Sequence, residues 1–163
     1  MHIYVKNKKI YFNNYSAKCA VGKRGISKNK KEGDLKTPKG MFRLEYLLYR
    51  KDRIYKIKSS LKKKIIKKKM GWCDDINSKK YNHLVKLPSK YSAENLFRKD
   101  HLYDLTVIIG YNRKKLVTGK GSAIFLHLAD KSYSPTHGCI AIAKKDMLNL
   151  LGMINKTTKI IIS

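Results

Sequence analysis

At 163 residues the chain is long enough for one domain with a sizeable core and too short for a comfortable second one. Lys and Arg number 38 against 11 acidic residues, giving a net charge of +27 and a pI near 10.1, so the surface repels itself and attracts polyanions. Charge alone admits nucleic acid, anionic membrane headgroups and acidic cell-wall polymers, but no DNA- or RNA-binding motif is present, which argues against a specific nucleic-acid reader. A compositional drift toward Lys, Ile, Asn and Tyr accounts for the charge equally well. No apolar run approaches the ~20 residues of a membrane span. Met1 leads directly into His2-Ile3-Tyr4-Val5, so no secretory signal peptide is expected in this chain.

Taken in order, residues 2–15 alternate loosely and predict a hairpin of two short strands, continued by a strand over residues 17–21. Residues 22–37 read as a polar loop ending in the turn Thr37-Pro38-Lys39-Gly40. Residues 41–49 are apolar enough for a strand. Residues 50–69 hold the densest charge run, Lys62-Lys63-Lys64-Ile65-Ile66-Lys67-Lys68-Lys69, expected as a solvated loop or extruded hairpin. The alternative for this run is an electrostatic footing on anionic polymer or membrane, whose affinity falls with salt. It carries no interleaved aromatics, which argues against base stacking.

Residues 71–91 are irregular and hold the only tryptophan, so Trp72, Asp74, Asp75, Tyr81 and Asn82 are candidates to line a groove. The bland alternative is that Trp72 caps the core and the aspartates satisfy loop amides. A short helix is expected over residues 92–99, with Ser92 as N-cap and Glu94 in the first turn. A buried strand follows over residues 103–111, and another over 122–129. Residues 144–153 have helical spacing and 159–162 close the chain as a strand. His83 and His101 stand alone in polar surroundings and read as ordinary. The whole predicts a mainly β domain, a sandwich or barrel with two short helices, spanning residues 1–163.

The chemistry concentrates in Ser134-Pro135-Thr136-His137-Gly138-Cys139-Ile140-Ala141. Gly138 permits a close or strained backbone just before a thiol. His137 adjoins it, and His127 lies twelve positions upstream of Cys139 in a strand-like apolar run. A thiol becomes a nucleophile when a neighbouring imidazole takes its proton. The three cysteines are an odd count, and Cys139 is the natural free thiol. Cys19 and Cys73 are either buried apolar residues or a disulfide pair. No two cysteines lie within a few residues of each other, as metal ligands often do.

The order His127, spacer, Thr136-His137-Gly138-Cys139 resembles the signature of the L,D-transpeptidase (YkuD-type) catalytic domain. Upstream, Gly33-Asp34-Leu35-Lys36-Thr37-Pro38-Lys39-Gly40-Met41-Phe42 is similar to that family's Gly-Asp-x-x-Thr-Pro-x-Gly-x-Phe segment. Gly71-Trp72-Cys73-Asp74-Asp75, Tyr81-Asn82, Gly110-Tyr111-Asn112 and Gly121-Ser122-Ala123 resemble further blocks of one branch. Two departures stand out. The spacer between His127 and Thr136 is eight residues, shorter than usual in the family, and Ile140-Ala141 stands where many members carry a polar Arg or Asn.

The resemblance implies a YkuD β-sandwich and a cysteine acyl transfer on peptidoglycan stem peptides, without metal or organic cofactor, in the periplasm or cell envelope. Cys139 is then the nucleophile and His127 its base, with the Leu128 carbonyl fixing the imidazole tautomer. The Gly138 and Cys139 amides are expected to hold the oxyanion. Thr136, His137, Trp72, Asp74, Asn82, Asn112 and Ser122 are the expected substrate contacts. With water as acceptor the same residues give a carboxypeptidase or endopeptidase. Two other classes stand beside this: a catalytically idle, Lys-rich domain binding anionic wall polymer, and a cytoplasmic cysteine hydrolase acting on small peptides.

Overall fold

Alternating side chains build the first strands of the computed structural model, which describes residues 1–163. Strands β1 (Ile3–Lys6) and β2 (Lys9–Phe12) form a hairpin in the register Ile3 to Phe12 and Val5 to Ile10, which buries all four of these side chains. Its connection, Asn7-Lys8, has positive φ at both residues, the twist that suits a two-residue hairpin loop. The chain continues through β3 (Tyr15–Ala20), the short parallel pair β4 (Ile26–Ser27) and β5 (Thr37–Pro38), and the long β6 (Gly40–Tyr49). Then come β7 (Lys63–Ile65), β8 (Met70–Cys73), β9 (Leu84–Lys86), β10 (Ala93–Asn95), β11 (Leu105–Ile109), β12 (Phe125–Leu128) and β13 (Ile140–Ile142). The helix α1 (Lys144–Met153) and β14 (Lys159–Ile162) complete it. The only helix is ten residues, too short to cross a membrane.

Nine strands form one sheet in the order β11-β12-β13-β3-β2-β1-β14-β6-β7. Strand β6 closes it: Gly40 to Arg43 pair with β14 and Leu44 to Tyr49 with β11, so eight strands run round a barrel and β7 lies outside on β6. The interior is a cluster of 24 buried apolar residues that includes Ile3, Val5, Leu47, Val107, Leu126 and Ile160. α1 adds Met147, Leu150 and Leu151, the helical spacing legible in the sequence.

A second sheet, β10-β8-β9, covers the outside of β11 and β12. Between them lies a smaller apolar cluster containing Leu48, Trp72, Leu96, Tyr103, Ile108, Phe125 and Cys139. β11 and β12 are therefore buried on both faces, which is why their sequences are nearly continuous apolar runs.

The mainly β architecture matches expectation, with one helix in place of two. Residues 92–99 are not helical: Ala93, Glu94 and Asn95 pair antiparallel with Cys73, Trp72 and Gly71. Ser92 and Glu94 look like a helix start locally, but the edge of β8 offers these residues a ladder. The charge run is a loop with one exposed edge strand, β7. Cys19 and Cys73 are separate, free and buried, which decides against a disulfide.

Candidate active site

Strand alternation assembles the site. On β12, Leu126 and Leu128 point into the barrel, so Phe125 and His127 face the second cluster. On β13, Ile140 and Ile142 point inward, which leaves Cys139 and Ala141 on the same outer face as His127. The two strands are parallel neighbours with Leu126 beside Ile140 and His127 beside Ala141. Cys139 and His127 therefore share one face, two positions apart along it. Both line a cleft of about 540 Å³.

The His127 ring is held on two sides. Its Nδ1 lies 2.8 Å from the Leu128 carbonyl, which fixes the proton there and leaves the Nε2 lone pair free. Tyr103 packs against it edge to face, with ring centroids 5.1 Å apart. Burial lowers the imidazole pKa to about 4, with the Leu128 carbonyl opposing and the Arg98 guanidinium assisting. His127 is thus neutral across the physiological range.

Cys139 sits where the Phe125 amide donates to its Sγ at 3.4 Å while its thiol donates to the Ala123 carbonyl at 3.1 Å. Burial pushes this thiol up to about 12, and the Glu94 carboxylate pushes in the same direction. The Phe125 amide and the Lys30 ammonium oppose it more weakly. The resting pair is a neutral thiol beside a neutral imidazole.

Two threonines fix the backbone at Cys139. Thr136 Oγ1 donates to the Cys139 carbonyl at 2.6 Å and accepts from the Gly138 amide at 3.1 Å. Thr37, fully buried, donates to the same carbonyl at 3.5 Å and accepts from the Gly22 amide at 2.8 Å. The turn beginning at Thr37 thus supports the loop carrying the thiol. Gly138 has φ of +141°, and a Cβ there would stand 2.9 Å from the Lys36 carbonyl oxygen. With the Gly138 amide engaged by Thr136, the Cys139 amide is the one that finds no acceptor within the protein.

Of the expected substrate contacts, Thr136, His137, Asp74 and Ser122 line the cleft. Asp74 Oδ1 and Ser122 Oγ are buried there without a hydrogen-bond partner. Trp72, Asn82 and Asn112 do not line it. Trp72 is core, edge-on to Phe125 at 5.1 Å, with its indole N–H donating to Asn82 Oδ1 at 2.9 Å. Asn82 is buried at φ +57° and also accepts from the Ala123 amide at 3.1 Å while donating to the Asn112 carbonyl at 2.8 Å. Asn112, at φ +48°, ties its own loop through Val117 and Gly121. These residues position the wall of the cleft from behind.

The structure adds cleft residues that the sequence did not single out. Glu94 on β10 accepts from the Tyr103 hydroxyl, and burial raises its carboxyl pKa against the pull of Tyr103 and Arg98. Arg98 pairs with Asp100 at 2.7 Å and lies over the Tyr103 ring. Lys30, almost fully buried, pairs with Asp34 at 2.5 Å and lines the cleft on the side of the thiol. The Asp34 carboxylate also accepts from the Lys31 and Lys36 amides at 2.8 and 2.9 Å, which is how the Gly-Asp segment folds its loop. A cation next to a cysteine was the signal available for Lys30, but the two lie 109 positions apart in the sequence.

No curated protein matches the sequence. The family model described as the L,D-transpeptidase catalytic domain, YkuD, matches residues 1–162. A parallel strand pair presenting His127 and Cys139 to one cleft, with the family match spanning nearly the whole chain, places this protein in the YkuD L,D-transpeptidase catalytic domain family.

Proposed function

We propose that the protein is a cysteine-dependent acyl transferase that cross-links peptidoglycan stem peptides in the cell envelope. The observation that carries the reading is the shared face of β12 and β13. It turns Cys139 and His127 into one cleft while the Leu128 carbonyl keeps Nε2 of His127 free to accept a proton.

The reaction begins from the neutral pair. Cys139 Sγ attacks the carbonyl carbon of a stem-peptide amide as its proton passes to His127 Nε2. The C–N bond breaks and the imidazolium returns the proton to the departing amine, leaving a thioester on Cys139. An amine of a second stem then attacks the thioester, gives a proton to His127 and releases the thiol. Charge appears on this pair only as the bond forms, because burial of both groups disfavours their charged forms beforehand. The Cys139 amide, unpaired at rest, serves as an oxyanion donor; loss of one such donor typically costs about a hundredfold or more in rate. The Gly138 amide holds the loop through Thr136 instead.

Asp74 and Ser122 lie in the cleft wall as contacts for the peptide, and His137 and Thr136 flank its approach. Where relatives carry a polar residue shortly after the nucleophile, this chain has Ala141, buried beside His127, and Arg98 and Lys30 supply the cations of the cleft. Incubating the protein and Cys139→Ala with tetrapeptide muropeptides, and following products by mass spectrometry, tests the proposal. A cross-linked dimer with released terminal residue, absent with the variant, is expected. Shortened monomers alone mean that water is the acceptor. Identical traces from both proteins refute an enzymatic role on this substrate and favour an idle wall-binding domain.

A further inference from the structure

A second cleft of about 480 Å³ shares no lining residue with the first. Five stretches of chain meet there: Arg43 to Glu45 on β6, Leu61 and Lys62 before β7, His83 after β8, Arg113 after β11, and Lys156 between α1 and β14. Leu44 and Leu61 are buried and form its apolar floor. Above them stand Arg43, Lys62, Arg113 and Lys156 against a single carboxylate, Glu45, so these five groups leave an excess of three positive charges. The reaction proposed above makes no use of this cleft.

Arg113 is largely buried and held in place, and Arg43, with its side chain 57% exposed, is tethered at its tip by Glu45 and along its stem. Glu45 takes Arg43 Nη2 at 2.9 Å on one oxygen and Arg113 Nε at 3.1 Å on the other. Arg113 also donates to the Asn82 carbonyl and lies over the Trp72 ring at 5.0 Å. The stem of Arg43 crosses Gly110 so closely that a Cβ on that glycine would stand 2.8 Å from Arg43 Cγ. Arg43 Nε and Nη1, Arg113 Nη2 and the Lys62 and Lys156 ammonium groups have no acceptor within the protein. Ser60 donates to the Ile154 carbonyl at 2.7 Å, which fastens the Lys62 stretch to the turn that bears Lys156.

We propose that this cleft is a phosphate-binding site. Guanidinium groups match the oxygens of a tetrahedral anion in pairs, and ammonium groups add charge without demanding a direction. Three excess charges suit a multiply charged phosphate better than a single carboxylate. The phosphate belongs either to a lipid headgroup or to a free phosphate compound, and the two share this chemistry. The exposed Lys63 and Lys64 of β7, adjoining Lys62, extend the same field outward.

The test is calorimetric titration of the full chain with inorganic pyrophosphate, beside co-sedimentation with phosphatidylcholine vesicles that contain or lack the anionic phosphomonoester lipid phosphatidic acid. The variants are Lys62→Gln/Lys156→Gln, Arg43→Gln, and Lys144→Gln/Lys145→Gln, the last removing the same charge from exposed positions on α1. Saturation at one site per chain is expected, weakened about tenfold or more by the first two variants and unchanged by the third. Sedimentation with the anionic vesicles alone, following the same variants, assigns the headgroup as the source; saturable pyrophosphate binding without it assigns a free phosphate compound. Equal weakening by both double variants, or no saturable binding to either probe, overturns the proposal, because diffuse charge then explains all attraction.

Discussion

The neutral resting pair makes a prediction that separates it sharply from a preformed thiolate and imidazolium. With the Cys139 thiol at about 12, the thiolate fraction at pH 8 is on the order of one part in ten thousand. An ordinary cysteine near 8.5 is about one quarter thiolate at that pH. On thiolate fraction alone, alkylation of Cys139 by iodoacetamide should run about a thousandfold or more below that of a free thiol, and the greater intrinsic nucleophilicity of a high-pKa thiolate offsets more than about tenfold of this. Burial lowers the absolute rate at every pH, so the slope carries the argument. Between about pH 6 and about pH 10 the logarithm of the rate should climb close to one unit per pH unit without a plateau. Peptide mapping by mass spectrometry isolates Cys139 from Cys19 and Cys73. Replacing Glu94 with Gln removes a carboxylate that opposes the thiolate and should raise the rate at every pH on this slope. A rate that is flat from about pH 5 to about pH 9 would refute the reasoning, since it requires a thiolate stabilised by protonated His127.

Other consequences are equally direct. The folded His127 pKa of about 4 lies below the ordinary 6.5, so the unfolded chain takes up a proton first as pH falls. Stability present above pH 6.5 is lost progressively down to about pH 4, by about 3 kcal/mol in total, and His127→Gln should flatten that part of the denaturation profile. Gly138→Ala combines positive φ with a contact against the Lys36 carbonyl, a strain of about 1–3 kcal/mol that displaces Cys139; kcat should fall about a hundredfold with the fold intact by circular dichroism. Asn82→Ala leaves the Trp72 indole and the Ala123 amide unpaired in the interior and should cost about 3 kcal/mol in urea denaturation. Because Ala123 in turn holds the Cys139 thiol, kcat should fall while KM stays put, whereas a raised KM would mark Asn82 as a substrate contact.

What the sequence disclosed followed from how local each signal was. The hairpin at the N-terminus, α1 and β14 are set by alternation or helical spacing within a few residues, and they fold as read. Cys139 and His127 were legible because each sits in a short motif, and strand alternation then turns both to one face. Glu94 was not, because its neighbours mimic a helix N-terminus and only pairing with Trp72 across β8 places it in the cleft. Trp72 and Asn82 share one difficulty. A polar loop with a tryptophan looks like a groove, yet the indole faces Phe125 and the amide bridges chain segments 30 to 41 residues away. Thr37 carried turn chemistry in its sequence, and its hydrogen bond to Cys139 spans 102 residues. Interactions of that reach depend on the closed barrel, which no local pattern encodes.

The most direct measurement is the intact mass of the protein after brief exposure to a tetrapeptide stem, quenched in acid and followed by peptide mapping. The expected result is a mass increase equal to the acyl portion of the stem, located on Cys139, labile to hydroxylamine as thioesters are, and absent from Cys139→Ala. In His127→Ala the adduct should form at least about a hundredfold more slowly, within the range lost when a general base is removed. Turnover of the stem without any adduct, or with the adduct on another residue, would contradict Cys139 as the nucleophile.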